Sequence, residues 1–244
     1  MIDGLERAVR VLDLFSSDAP EWTVSDVCRA LGLPKTTVWD YMQSMAALGL
    51  LRRTGRGRYR LGWHSFQLGL RARMTSEISG PAWSEMRDLV DLHHETVHLA
   101  ARHHSEVVYL EKIAPHTGVR VNATRVGERL PAHCTAEGKV LLAYLSPSEL
   151  RGLYGEPKPL TSRSHTTLPA LERELSAVRE QGYAVDVEEA VEGMCCVAAP
   201  ISNRHGDVSW ALSMSFLEYR LPTHGDAYAR AVVEAARRLS EHAP

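Results

Sequence analysis

The chain is 244 residues long and has only four cysteines and three phenylalanines, with no run of eighteen apolar residues. The cysteines stand at Cys28, Cys134, Cys195 and Cys196, a spacing that fits neither a disulfide scaffold nor a Cys-x-x-Cys metal site. The missing apolar run excludes a membrane-spanning helix. There is no internal repeat and no low-complexity segment. A signal-peptide layout is also missing, because the chain enters helical periodicity at once through Leu5, Ala8, Leu12 and Phe15. A cytoplasmic protein is expected. The net charge is only −2, but it is unevenly distributed: residues 1–75 hold 11 Lys+Arg and 7 Asp+Glu, leaving 17 and 23 of the chain's 28 and 30 for the rest. A basic head therefore precedes an acidic body. At 44% hydrophobic residues, this length suits one large or two modest domains.

The head carries the sharpest local pattern. Thr23 opens a helix with Asp26 as its capping-box partner. Gly32 breaks that helix, and Pro34 opens the next, where its fixed φ and missing N–H are tolerated. In the second helix Val38, Tyr41, Met42, Met45 and Leu48 keep the 3–4 spacing of a buried stripe. The opposite face carries Lys35, Thr36, Thr37, Trp39, Asp40 and Gln43, and Gly49 closes the helix. Residues 52–60 then hold five arginines (Arg52, Arg53, Arg56, Arg58 and Arg60) around Gly55 and Gly57, with no acid. A solvated basic hairpin would satisfy the arginines alone. Together with the clean polar face and the segregated charge, they predict a winged helix-turn-helix that reads base edges with its helix and holds phosphates with its wing. The candidate DNA contacts are Thr23, Lys35, Thr36, Thr37, Trp39, Asp40, Gln43, Arg52, Arg53, Arg56 and Arg58.

Trp63, Phe66, Leu70 and Met74 next form an apolar stripe at helical spacing, a linker helix that must pack on something. From Ser79-Gly80-Pro81 onward the pattern alternates. Helices are expected at 81–93, 135–145, 147–153, 168–181 and 223–242, and strands at 96–102, 106–113, 118–123, 183–188, 194–201 and 207–216. Hairpin-joined strands with flanking helices predict an α+β domain with a mainly antiparallel sheet. In the strand from Val208 to Ser215, Val208, Trp210, Leu212 and Met214 suit a core, while Ser209, Ala211, Ser213 and Ser215 face the other way. Either solvent or a polar cavity would accept that second face. Asp186 lies between Val185 and Val187, and Cys195 and Cys196 face opposite ways, one toward the core and the other toward a cavity. A helix starting near Thr135 offers N–H groups to a carboxylate, or Thr135 simply caps it.

His94-Glu95-Thr96-Val97-His98 matches the spacing of a zinc-protease motif, whose chemistry needs one helix carrying both histidines. Thr96 and Val97 are β-branched and the segment alternates as a strand, which would part the histidines by more than ~12 Å at ~3.3 Å per residue. A metal-dependent hydrolase is therefore the rival reading, and a ligand-blind architectural DNA binder a third. His133 beside Cys134 lacks an orienting third group.

Several stretches together resemble the IclR family of bacterial transcription regulators. They are Gly4-Leu5-Glu6-Arg7-Ala8, Leu33-Pro34-Lys35-Thr36-Thr37-Val38, Gly57-Arg58-Tyr59-Arg60-Leu61-Gly62, Thr135 through Gly138-Lys139 to Ala143, Gly182-Tyr183-Ala184, and Glu189 through Gly193 to Ala199-Pro200. The resemblance implies an α+β chain: a winged helix-turn-helix over 1–62, a linker helix over 63–78 and a GAF-like effector-binding and oligomerisation domain over 79–244. It implies double-stranded DNA with a palindromic operator as partner, a homodimer or dimer of dimers, and a small organic acid, aliphatic or aromatic, as effector. Repression is expected rather than activation, and no membrane, cofactor, metal or catalytic residue is called for. By position the effector residues fall on Asp186, Cys196, Ser213 and Ser215, with Arg120, Cys134, Thr135 and Ala136 as further members. One departure concerns the recognition helix, where Asp40 stands in place of the family's basic residue. A carboxylate cannot bind phosphate but can accept from cytosine N4, so the operator sequence does not carry over from relatives.

Overall fold

A computed structural model describes residues 3–76, 78–116 and 124–243. Residues up to Ser76 form one compact unit and those from Ile78 onward a second. Among the described residues no helix is long and apolar enough to cross a membrane.

The first unit runs α1 (Asp3–Leu12), β1 (Trp22–Thr23), α2 (Val24–Leu31), α3 (Lys35–Ala47), β2 (Leu51–Gly55), β3 (Arg58–Leu61) and α4 (Trp63–Met74). Its three strands pair antiparallel in the order β1-β3-β2. The capping box forms as the sequence predicts: Thr23 Oγ1 accepts from the Asp26 amide at 3.2 Å, and Asp26 Oδ2 accepts from the Thr23 amide at 3.3 Å. Gly32, at φ 67°, ends α2 in the left-handed conformation that glycine tolerates. Val38, Met42 and Met45 enter the core with Val11, Phe15, Val27, Leu51 and Tyr59. Two members of the predicted stripes do not. Leu48 lies just past the end of α3 and is 68% exposed, while Leu5 is 65% exposed and Val11 fills the core from α1 instead. The wing folds back closely on the end of α3, so that a Cβ on Gly62 would lie 2.1 Å from the Gly49 carbonyl oxygen.

The second unit contains α5 (Ser79–His93), β4 (Thr96–His103), β5 (Glu106–Ile113), β6 (Arg129–Pro131), α6 (Ala136–Ala143), α7 (Pro147–Leu153), α8 (Leu168–Gln181), β7 (Ala184–Val187), β8 (Met194–Ser202), β9 (Val208–Leu217) and α9 (Leu221–His242). The six strands form one sheet in the order β6-β5-β4-β9-β8-β7, with every described pairing antiparallel. The strand expected at 118–123 lies outside the described residues, as does Arg120. Strand β6 was not anticipated, since three residues are too few to show alternation.

The sheet is sandwiched. On one face, Met86 and Leu89 of α5 and Val232, Ala236 and Leu239 of α9 pack on Val97, Leu99, Val197, Ile201, Leu212, Met214 and Phe216. On the other, Val140 and Leu141 of α6 and Leu171, Leu175 and Val178 of α8 pack on Ala100, Tyr109, Ala184, Ala198 and Ala211. The alternation of β9 sorts Trp210, Leu212 and Met214 to the α5–α9 side. Val208 departs from that pattern and packs with the α6–α8 cluster, where the β8–β9 register shifts between Ile201 and Ser202. All eight residues of α6 are buried, Glu137 and Lys139 included. The helix is set so close to the preceding turn that a Cβ on Gly138 would lie 2.0 Å from the Ala132 carbonyl oxygen. Because backbone would have to move, Gly138→Ala is expected to destabilise the protein by about 3 kcal/mol or more, read as a lowered midpoint in urea. An unchanged midpoint would show that α6 is free to shift.

Candidate functional site

The first unit presents α3 and the wing together. Lys35, Thr36, Trp39 and Asp40 are exposed, Trp39 by 52%, and Thr37 is half-buried. Arg52, Arg53, Arg56 and Arg58 are exposed as well. The wing tip turns through Gly55 at φ 102°, Arg56 at φ 48° and Gly57 at φ 73°. Arg60, the fifth arginine, is half-buried and donates to Glu21 Oε1 at 2.8 Å. Thr23, Gln43 and Arg53 among the sequence-picked residues have internal partners. The Thr23 hydroxyl is engaged by the cap, donating to Asp26 Oδ2 at 2.7 Å. The amide of Gln43 is held at both ends: Nε2 donates to the Tyr59 hydroxyl at 2.9 Å, and Oε1 accepts from the Arg53 guanidinium. That guanidinium also lies over the Tyr59 ring, 5.7 Å from its centre. Gln43 thus braces a wing arginine against the recognition helix, and Tyr59, 4% exposed, gains the partner its buried hydroxyl needs.

In the second unit, strand register assembles a row across the sheet face beneath α6. Thr96 pairs with Ser215, Ser215 with Cys196, and Cys196 with Asp186. His98 and Ser213 pair in the adjoining row. Four of the sequence-picked residues, Asp186, Cys196, Ser213 and Ser215, therefore share one face, and all are buried rather than solvent-facing. Ser215 Oγ donates to Cys196 Sγ at 3.4 Å. Glu137, reaching down from the first turn of α6, accepts from Ser213 Oγ at 2.5 Å and from Cys196 Sγ at 3.8 Å. Burial pushes the Glu137 carboxyl and the Cys196 thiol up. Asp186 Oδ1 accepts from the Glu189 amide at 2.6 Å. Burial, reinforced by the charge of Glu189, pushes the Asp186 carboxyl up to about 8.

Cys134, Thr135 and Ala136 are packed at the head of α6, and Thr135 Oγ1 accepts from the Gly138 amide at 3.0 Å, so it does cap the helix. Burial raises the Cys134 thiol. Of the two adjacent cysteines, Cys195 belongs to the α5–α9 core and Cys196 to the α6 side.

Sequence reasoning missed a buried ion network beside this row. Lys139 Nζ donates to Glu189 Oε1 and Val185 O, each at 2.6 Å, and to Glu174 Oε1 at 3.0 Å. Burial alone would lower the ammonium, but the two carboxylates outweigh it and leave it raised. The signal was present in the sequence: a helix apolar on every side apart from one Glu and one Lys must bury both with partners. His98 was missed too. Its Nε2 meets Thr124 Oγ1 at 2.8 Å, and burial drives it down to about 3, so the ring is neutral.

The histidine motif is no zinc site. His94 caps α5 with φ 57°, while Glu95 accepts from the Arg220 guanidinium and from the Tyr228 hydroxyl at 3.0 Å. His98 lies on a strand, in the interior. Among the described residues no group of three His, Cys, Asp or Glu is set to hold a metal. The one-helix geometry that the zinc-protease motif needs is therefore not formed, and Glu95 is engaged in an ion pair.

A domain profile described as the bacterial transcriptional regulator IclR C-terminal matches residues 74–241, and the IclR helix-turn-helix domain matches residues 4–55. The chain belongs to the IclR family. It is 36% identical over 225 residues to the HTH-type transcriptional regulator XynR of Escherichia coli K12, covering 91% of this chain and 88% of that one. It is 33% identical over 244 residues to KdgR of the same organism, covering 98% and 92%. The crystal structure of an IclR homolog complexed with 4-hydroxybenzoate from Microbacterium hydrocarbonoxydans superposes with a TM-score of 0.84 at 29% identity, covering 98% of each chain. The protein is accordingly a DNA-binding transcriptional regulator with an N-terminal helix-turn-helix unit and a C-terminal α/β unit.

Two measurements follow from these contacts. If Gln43 acts through Arg53, then Gln43→Ala, Arg53→Ala and the double variant should weaken DNA binding by similar factors, the two effects overlapping rather than adding. Each should lower the salt slope by about one phosphate contact; additive losses with a changed base preference would instead make Gln43 a base reader. The second concerns Asp186. Its folded carboxyl keeps its proton up to about 8, whereas the unfolded one loses it near 4. The folded state thus binds more protons between these values, and stability falls as pH rises through that window. Asp186→Asn should remove that slope in urea titrations between pH 5 and 8, and a slope identical to wild type would place the titration elsewhere.

Proposed function

We propose that the chain is a sequence-specific regulator whose C-terminal unit senses a small organic acid, aliphatic or aromatic, and whose hold on a palindromic operator in double-stranded DNA changes when the acid binds. It represses, since occupancy of a promoter by the protein is sufficient for that and no further partner surface is needed. It carries out no catalysis and works in the cytoplasm. The observation that carries this reading is the presence in one chain of an acid-free arginine wing and a row of polar side chains buried on the sheet face beneath α6.

On this reading Lys35, Thr36, Thr37, Trp39 and Asp40 meet the major groove and Arg52, Arg53, Arg56 and Arg58 the phosphates. The effector lies against Asp186, Cys196, Ser213 and Ser215 near the head of α6 at Cys134, Thr135 and Ala136, with Arg120 as a further member. The Microbacterium homolog's 4-hydroxybenzoate supports an aromatic acid of that size as one candidate. The protein acts as a homodimer or a dimer of dimers. Trp63 at 72%, Phe66 at 62% and Met74 at 76% exposure leave α4 without a buried residue, an apolar face that a second copy covers. Assembly gives the effector its lever, because a ligand alters DNA binding only by favouring one arrangement of the paired heads.

The test uses the DNA duplex that the protein itself enriches from a random-sequence library. A panel of small aliphatic and aromatic acids is screened for release of that duplex, and Ser215→Leu should abolish release while leaving DNA affinity within about twofold. Release that survives Ser215→Leu would move the pocket, and a panel without any effect on DNA binding would remove the acid sensor.

A further inference from the structure

Resting on the effector reading above, we propose that Glu137 is the specificity-determining residue of the pocket. The chain supplies its own carboxyl group to the Ser213 hydroxyl, so the effector presents a neutral hydrogen-bond donor, a hydroxyl, to this wall and turns its carboxylate away.

The geometry separates the two rows of the sheet face. Ser213 is fully buried and its hydroxyl is given to Glu137 Oε1 at 2.5 Å. Glu137 keeps 2% exposure, whereas the outer row retains slightly more: Ser215 at 8%, Cys196 at 5% and Asp186 at 5%. Glu137 thus closes the inner row and leaves the outer row as the wall a ligand can reach. The outer row also holds an unsatisfied group. Thr96, fully buried and in register with Ser215, has a side-chain hydroxyl with no hydrogen-bond partner among the described residues. A buried hydroxyl without a partner is costly, and a ligand hydroxyl would relieve it.

The hydrogen-bonding groups of the wall point the same way. The wall is built from carboxyl groups, Glu137 of α6, Asp186 of β7 and Glu189 of the loop that follows. The ammonium of Lys139 beside them is already engaged by Glu189, Glu174 and the Val185 carbonyl. His98 of β4 faces the same region as a neutral ring, and Tyr109 of β5 stays protonated because it is buried. A carboxylate placed at Ser213 would compete with Glu137 for the same hydroxyl and set a further carboxyl group against Glu137 and Asp186. A hydroxyl there donates to Asp186 or Glu137 and accepts from Thr96 or Ser215.

Glu137→Gln keeps the shape and replaces the carboxyl group with an amide. In calorimetric titrations at pH 7.5 with pyruvate as the probe, the variant should bind at least about tenfold more tightly than the wild-type protein, a difference of about 1.4 kcal/mol. Equal affinity, or no measurable binding by either, overturns the proposal. If the variant does not fold, the wild-type protein decides the matter with a matched pair: 3-hydroxypropionate should bind more tightly than malonate, and equal or inverted affinities overturn it. The two readings fail differently. A panel acid that releases DNA through Ser215, with pyruvate binding the two proteins alike, removes only the role of Glu137; a panel in which no acid binds either protein removes the sensor itself.

Discussion

The C-terminal unit depends on the burial of one ammonium group. Lys139 joins α6 to β7 through Val185, to α8 through Glu174 and to the loop after β7 through Glu189. Its side chain is 1% exposed, and that of Glu189 8%. An ion pair so deep is held by geometry rather than by Coulomb attraction alone, because removing either partner leaves the other buried and uncompensated. The same loop is held from a second side, where Thr161 Oγ1 donates to Glu188 O and Ser164 Oγ to Glu189 O, both at 2.7 Å. Asp186 sits at the base of this loop, and its carboxyl is raised because it is buried and lies next to the charge of Glu189.

Burying α6 on all sides sets the terms for the rest of the unit. The helix approaches the sheet over small residues, Ala100, Ala198 and Ala211, and clears the preceding turn only because residue 138 is glycine. A large apolar side chain at Ser213 or Ser215 would fill the space that Glu137 and the outer row share. The small residues of β9 are therefore what lets α6 close over the sheet. In the DNA-binding unit a similar economy appears at Tyr59, a core residue on β3 whose hydroxyl meets Gln43 and whose ring lies under Arg53. The core and the wing are thereby joined through one small group of residues.

Much of this was legible in the residues. The capping box at Thr23, the left-handed Gly32, the buried stripe of α3 and the arginine hairpin are local features, each set by neighbours within a few positions. The alternation of β9 placed Ser213 and Ser215 on one face opposite Leu212 and Met214, and the β-branched pair Thr96-Val97 ruled out a helical zinc motif. The family resemblance then located Asp186 and Cys196. Where alternation met an irregular register, as at Val208, the prediction failed, because a shift in pairing reassigns a side chain to the other face.

The sequence by itself determined the two-unit organisation, the winged helix-turn-helix and the class of protein, since these rest on periodicity, caps and charge that act over short stretches. Only the tertiary structure decided who partners whom across long separations. It made Glu95, part of the histidine motif, the anchor of Arg220 and Tyr228, and joined Gln43 to Arg53 and Tyr59. It also made Lys139 the centre of an ion network and brought Glu137 onto Ser213, 76 residues away. Hydrogen bonds and desolvation act through space over a few ångströms, and no local pattern records which distant group will arrive there.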